Sequence, residues 1–248
     1  MASGGLSLGT FVMEFATRGL PWLAQRGGLD FLIYDNEHGN LSKPEIRAGV
    51  LGCRAVGVTP VVRTRTGERA EVSPALDAGA LAVIVPMTES PEQIERTIEA
   101  ARYHPAGSRG AAFGIAHDLY DNTIEPEEAM AAANAEVMVI PQIETARGLE
   151  AADEICSVPG VDLVWMGHMD LSQSLGIPGQ FDHPLMVEGV ERVATAARDH
   201  GLPAGRLVPD PGVGRDANRQ GYRALAMATD IWLLRDALAG FAQQLRTG

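Results

Sequence analysis

The chain has 248 residues, 46% of them hydrophobic and 21% charged, with a formal net charge of −12. That length fits one α/β barrel of about 250 residues, or at most two small domains, and the composition provides for a full core and excludes extended disorder. No run of Lys or Arg marks a nucleic-acid surface, and no apolar stretch approaches the roughly 20 residues of a membrane span, so neither nucleic acid nor a membrane is expected as a partner.

The first ten residues, MASGGLSLGT, carry no basic or long apolar stretch and do not read as a signal peptide. Cys53 and Cys156 have no C-x-x-C partner. Both are expected as reduced thiols in the core of a cytoplasmic protein. An acidic protein acting on an anionic substrate must place positive charge locally, through an arginine, a metal or a helix N-terminus.

In chain order, strands are predicted over residues 9–15 and 31–35. Ser42-Lys43-Pro44-Glu45 then opens a helix with an N-cap serine and a proline in the first turn. Strands at 59–63 and 82–86 follow, and Ser90-Pro91-Glu92-Gln93 repeats the capping device, with helical spacing through Ile94, Ile98 and Ala101. Residues 103–123 form the longest irregular stretch, of the kind that in a compact domain is functional or lies at an interface. A helix at 125–135, a strand at 137–143, a helix at 145–155 and a strand at 163–166 come next. The remaining elements are helices at 183–200, 215–220 and 231–246, alternating with strands at 204–208 and 224–228. Eight short Val-, Ile-, Leu- and Ala-rich strands alternating with helices, with no linker between them, predict a single (β/α)8 barrel over residues 1–248.

In such a barrel the active site lies at the C-terminal ends of the strands. The second strand runs into Asp35-Asn36-Glu37-His38-Gly39, the third ends in Arg63, the fifth runs into Gln142-Ile143-Glu144, and the sixth into Gly167-His168-Met169-Asp170. A base, a cation and two carboxylates thus converge on one mouth. Glu144 and Asp170 cannot both stay ionised cheaply there unless a cation joins them. Oxygen ligation with open positions suits Mg2+ or Mn2+, with Co2+ or Zn2+ as further candidates; the alternative is a helix-capping aspartate and a salt-bridged glutamate. His38 is the candidate general base, against a hydrogen-bonded rim histidine. Arg63 ends an apolar strand, where a guanidinium needs an anion: a substrate, or a rim carboxylate. Arg65 could share either role. His104, His117, His183 and His200 read as surface residues. The Gly167 turn, opening a short helix, offers backbone N–H groups to a carboxylate. The only lysine, Lys43, sits at a predicted helix start and not at a strand end, which disfavours a Schiff-base route.

These residues resemble a known family. Asp35-Asn36-Glu37-His38 is similar to the D-x-E-H signature of the HpcH/HpaI aldolases, the pyruvate class II aldolases. Val61-Val62-Arg63, Val85-Pro86-Met87, the stretch from Arg102 to Gly110, Gln142-Ile143-Glu144 and Asp170-Leu171-Ser172 match its other blocks in order. The resemblance implies a phosphoenolpyruvate/pyruvate-type barrel, assembled as a homohexamer with its C-terminal helix, here 231–246, exchanged between subunits. It implies His38 as catalytic base, Asp77 as the carboxylate raising its basicity, Arg63 as transition-state stabiliser, and Glu144 and Asp170 as ligands of a divalent metal. Gln142 and Met169 match substrate-contacting positions, the latter through its N–H. Asp77 or Asp35 would hold the tautomer of His38, and Arg109 with its loop would line an aldehyde pocket or an interface. Where the family has Gly-Pro-Ala/Asn-Asp, this chain has Gly167-His168-Met169-Asp170, and residues 11–15 replace a small-residue segment.

The implied activity is reversible aldol cleavage or addition of 4-hydroxy-2-oxo acids through a metal-stabilised enolate of pyruvate or hydroxypyruvate. Relatives of citrate lyase β-subunits and malyl-CoA lyases, which act on CoA thioesters, would need a basic surface for CoA phosphates that this chain lacks. A non-catalytic barrel subunit would be expected to lose His38, Glu144 or Asp170, and all three are present.

Overall fold

A computed structural model describes residues 5–247. Eight parallel strands close into a barrel in sequence order: β1 (Ser7–Val12), β2 (Phe31–Asp35), β3 (Thr59–Arg63), β4 (Ala82–Val85), β5 (Met138–Ile143), β6 (Val164–Met166), β7 (Ala204–Val208) and β8 (Tyr222–Thr229). The helices are α1 (Leu20–Arg26), α2 (Lys43–Val56), α3 (Arg69–Asp77), α4 (Pro91–Ala101), α5 (Pro126–Glu136), α6 (Ala146–Glu150), α7 (Ala152–Cys156), α8 (His168–Ser174), α9 (Pro184–Asp199), α10 (Pro211–Arg219) and α11 (Asp230–Thr247). The predicted strands at 31–35, 59–63 and 204–208 have the observed bounds. The first stops at Val12 and not at residue 15, because the next three residues turn to meet Asp230. The predicted helix 145–155 is two short helices that meet at Ala151. α1, only seven residues long, and α3, which holds Pro74 inside it, fall in stretches where the sequence reading assigned no helix.

Strand alternation sorts the side chains into two cores. Phe11, Phe31, Ile33, Val61, Ile84, Ile140, Leu163 and Trp165 fill the barrel interior. Intervening residues such as Val12, Leu32, Val62, Val83, Val139 and Val164 face the helical layer with Val50, Ile94 and Val193. Trp165 occupies the centre, edge-on to Phe11 and Phe31 with ring centroids 6.0 and 6.4 Å away. Gly205, its register partner on β7, leaves that space: a Cβ there would run into the Trp165 ring. The expected caps form, with Ser42 N–H donating to Glu45 Oε2 at 2.8 Å and Ser90 N–H to Gln93 Oε1 at 3.1 Å. Both cysteines are buried free thiols.

The irregular stretch before α5 contains one short 3-10 turn (Ala116–Asp118) and is tied down at Tyr103, whose backbone N–H donates to Asn134 Oδ1 at 2.7 Å and whose carbonyl accepts from Asn134 Nδ2 at 3.0 Å. His117 is not the surface residue expected: its side chain is 8% exposed and packs on Tyr103 and Phe113, with Nε2 on the Ala112 carbonyl.

At the end of β8, the buried Asp230 accepts backbone N–H groups from Met13, Glu14, Phe15 and Ile231 at 2.7–3.1 Å. One carboxylate therefore fixes both the loop after β1 and the departure of α11. Beyond it α11 exposes Leu234, Leu238, Phe241 and Leu245. Asp230→Ala leaves these donors unmatched and is expected to cost about 3 kcal/mol in urea unfolding at fixed protein concentration, with Asp230→Asn intermediate. A change below about 0.5 kcal/mol, the range of a neutral surface substitution, would mean solvent already satisfies them.

Candidate active site

The interior parity that places Phe31, Ile33, Val61 and Ile140 in the barrel carries on to Asp35, Arg63, Gln142 and Glu144 at the strand ends. Asp35 and Arg63 are register partners on β2 and β3. Arg63 Nε and Nη2 meet the fully buried Asp35 carboxylate in a fork at 2.8 and 2.7 Å, and Nη1 lies 3.0 Å from Glu37 Oε2. Its guanidinium carbon sits 5.0 Å above the Phe11 ring. Of five N–H donors, three face these carboxylates and two remain for a ligand. Burial acts against its charge, but Asp35, Glu37 and Glu144 push the pKa of Arg63 further up. The rim-carboxylate partner considered for Arg63 is therefore present, and so is spare donor capacity.

Asp35 also accepts the backbone N–H of Glu37 at 3.0 Å and of His38 at 3.4 Å, so it shapes the turn that presents His38. The imidazole is half exposed, with Nε2 3.9 Å from Glu37 Oε2. Asp77 is engaged elsewhere: it accepts from Arg109 Nη2 at 2.8 Å, while Arg109 stacks on Tyr103 at 4.7 Å. Neither Asp35 nor Asp77 bonds the imidazole within this chain. Asp77 instead borders a cavity of about 390 Å3 with Asn36, Lys43, Ile46, Arg47 and Ile115. Arg65 turns outward onto Glu71 at 2.8 Å.

Glu144 is buried, and each of its oxygens is held. Oε1 accepts from Met87 N–H at 2.7 Å and Oε2 from Gln142 Nε2. Met87 makes its bond from a left-handed backbone, φ 52°, a conformation rare outside glycine and maintained here at the end of β4. Burial pushes Glu144 above the usual carboxylate range, opposed by the bonds from Gln142 and Met87 and helped by Asp170. Asp170, in the first turn of α8, lines one cavity with Glu144, Met87, Glu89 and Gln173. Gly167 is required beside this pair, because a Cβ there would collide with Glu144 and Gln142. Gln142 Oε1 is buried without a partner. Among the described residues no group of three His, Cys, Asp or Glu side chains forms a protein-only metal cage. Two carboxylates with an unmatched amide oxygen nearby instead fit a hard divalent cation that completes its shell with water and substrate oxygens. Met169 is exposed at the start of α8. His168 stands edge-on to Phe181 at 6.3 Å, and burial together with Arg206 drives its imidazole down to about 3.

Glu37 entered the sequence reading as a neighbour of His38 at the end of the second strand, with no role of its own. Burial pushes it up to about 7 against the pull of Arg63, and Glu144, Asp35 and Asp170 add to the rise. Four carboxylates therefore share one guanidinium, and the third-strand arginine cannot balance them all. The sequence reading expected the crowding of Glu144 and Asp170 but not the share of Glu37 in it, which depends on the distance between separate strand ends.

Interior strand ends bearing a base, a guanidinium and paired carboxylates at the C-terminal face of a (β/α)8 barrel define a carbon–carbon lyase of the aldolase class. The family model described as HpcH/HpaI aldolase/citrate lyase matches residues 23–237, and the chain belongs to that family. It is 33% identical to the 2-keto-3-deoxy-L-rhamnonate aldolase of Klebsiella pneumoniae over 87% of this chain and 80% of that one. It is 32% identical to the hydroxypyruvate/pyruvate aldolase of Roseobacter denitrificans over 89% and 86%. The crystal structure of an HpcH/HpaI aldolase from Desulfitobacterium hafniense superposes with a TM-score of 0.93 at 30% identity, covering 99% of this chain and 94% of the other.

The raised Glu37 has a defined pH signature. Between its ordinary 4.5 and about 7 the folded state holds a proton that the unfolded chain releases. The stabilisation is complete below the ordinary value and is lost as pH rises through about 7. In metal-free buffer, unfolding free energy should therefore fall with pH across that window, and Glu37→Gln should flatten the fall. An identical slope in both proteins would move the proton off Glu37.

Proposed function

We propose that this aldolase cleaves and forms 4-hydroxy-2-oxo acids, with pyruvate or hydroxypyruvate as the donor and a divalent cation, Mg2+ or Mn2+ before Co2+ or Zn2+, held by Glu144 and Asp170. The observation that carries the reading is the meeting of Glu144, Asp170, Gln142 and the Arg63–Asp35 pair at one barrel mouth. When bound, the cation supplies Lewis-acid stabilisation of the negative charge that develops on the donor's keto oxygen.

The chain's own groups do the rest. Arg63, fixed by Asp35, turns its remaining N–H donors to the developing oxyanion, a prepaid arrangement in a water-poor site. Gln142, anchored on Glu144, orients the donor. Met169 N–H and the Gly167–His168 turn receive its carboxylate. His38, at the exposed rim, takes or returns the proton of the C4 hydroxyl. Asp77 and Arg109 flank the adjoining cavity, where an acceptor aldehyde or a neighbouring subunit would lie. For Asp77 to support His38, as the family resemblance implies, its pairing with Arg109 must give way or a second subunit must supply the contact.

Two further proposals concern setting. The exposed apolar row on α11 supports an exchanged helix and a homo-oligomer, a hexamer by family resemblance. Among the described residues no helix is long and apolar enough to cross a membrane, and buried free thiols support a cytoplasmic location.

The test is exchange of the pyruvate and hydroxypyruvate donor protons in D2O, followed by NMR, which needs no acceptor. Exchange should require Mg2+ or Mn2+, vanish with EDTA, and be abolished in Glu144→Ala and Asp170→Ala. His38→Ala should block aldol cleavage in the same preparations. Exchange that survives chelation would sink the metal assignment. Arg63→Lys, which keeps a charge opposite Asp35 but loses the fork, should cost about 2.7–4 kcal/mol of transition-state stabilisation. A loss below about tenfold in turnover, or 1.4 kcal/mol, would leave Arg63 as a rim ion pair.

A further inference from the structure

Four arginines are buried among the described residues: Arg63, Arg102, Arg109 and Arg206. Three have acid partners, Arg63 on Asp35, Arg102 on Asp162 at 3.0 Å and Arg109 on Asp77. Arg206 has none. It stands on β7 between Gly205 and Leu207, which take the interior parity, so its side chain enters the layer between the barrel and the helices. There it is 8% exposed, with its guanidinium carbon 5.4 Å from the Tyr222 ring centroid and its Nε buried without a hydrogen-bond partner. The Tyr222 hydroxyl donates toward the Val190 carbonyl at 2.9 Å and forms no hydrogen bond with Arg206. His168 also buries an unpartnered Nε2, and it stands two residues beyond Met166, the register partner of Arg206 on β6. Phe181 stands edge-on to that ring.

A buried guanidinium with no counter-charge is costly, because desolvation is uncompensated. The groups at hand are two N–H donors, one permanent positive charge and no acid. We propose that Arg206 and His168 form a binding site for one small monovalent anion, of the halide or nitrate class, behind the Gly167–Asp170 turn. One negative charge balances the one guanidinium, and Arg206 Nε and His168 Nε2 in its N–H tautomer are the donors. Near-complete burial restricts the ligand to ions that shed water readily and need no large cavity. Because His168 begins the turn that carries Met169 and Asp170, the bound anion stiffens that turn from its outer side. The site is separate from the mouth, so it stands or falls apart from the aldolase reading.

The experiment is thermal melting of the full-length protein with sodium bromide replacing sodium gluconate at constant ionic strength, together with anomalous diffraction from crystals grown in bromide. A saturable rise of roughly 4 °C at tenfold excess over the dissociation constant is expected. It should be absent in Arg206→Met and weakened in Arg206→Lys, and a bromide peak should lie between Arg206 Nε and His168 Nε2. An equal response in Arg206→Met, a rise without saturation, or bromide found only elsewhere on the surface would overturn the proposal. So would a carboxylate of another subunit seated on Arg206. If Arg206→Met does not fold, the anomalous map of the unaltered protein decides.

Discussion

The mouth of this barrel depends on one forked contact, Arg63 on Asp35. Asp35 is fully buried and would be prohibitive as an isolated anion. Arg63 is equally unsuited to the end of an apolar strand. Paired across adjacent strands at matched register, they satisfy each other and become a rigid base for the surrounding groups. The second Asp35 role, accepting the N–H groups of Glu37 and His38, ties the same base to the turn that presents the imidazole. A change in either partner is therefore felt at the guanidinium, the rim histidine and the carboxylates together.

Charge around that base is deliberately unbalanced. Asp35, Glu37, Glu144 and Asp170 act on one another through a poorly hydrated space, and Arg63 supplies one positive charge. Burial first, and the neighbouring carboxylates after it, raise Glu37 and Glu144. The divalent cation proposed on Glu144 and Asp170 would offset most of this imbalance. Backbone strain serves the same end: left-handed Met87 aims its N–H at Glu144, and glycine at 167 lets β6 approach that carboxylate. Arg206, proposed to share an anion with His168 at the start of the same turn, carries the opposite imbalance, positive charge without an acid. Under the two proposals, one short segment meets ligands of opposite sign.

Much of the architecture was legible from residue order because each strand had to satisfy a local rule. Short β-branched runs punctuated by capped helices left few alternatives to a closed parallel barrel, and the Ser42 and Ser90 caps formed as their spacing dictates. Parity along β2, β3 and β5 put Asp35, Arg63, Gln142 and Glu144 inward, so their convergence could be expected once the fold was. Failures came where tertiary contacts override local pattern. Asp230 curtails β1 by capturing three backbone N–H groups more than two hundred residues away in sequence. His117 looked polar and peripheral, yet the loop folds over it and buries its ring on Tyr103.

The sequence by itself determined the barrel, the inward-facing residue types and their family likeness, since all three follow from periodicity and motif spacing. Only the tertiary structure decided who pairs with whom. It gave Asp77 to Arg109 and not to His38, set Glu37 between Arg63 and His38, stood His168 edge-on to Phe181, and left Arg206 buried without an acid. The physical reason is common to all four. Protonation, ion pairing and desolvation depend on distances of a few ångströms between groups on different strands, and those distances are fixed only when the barrel closes.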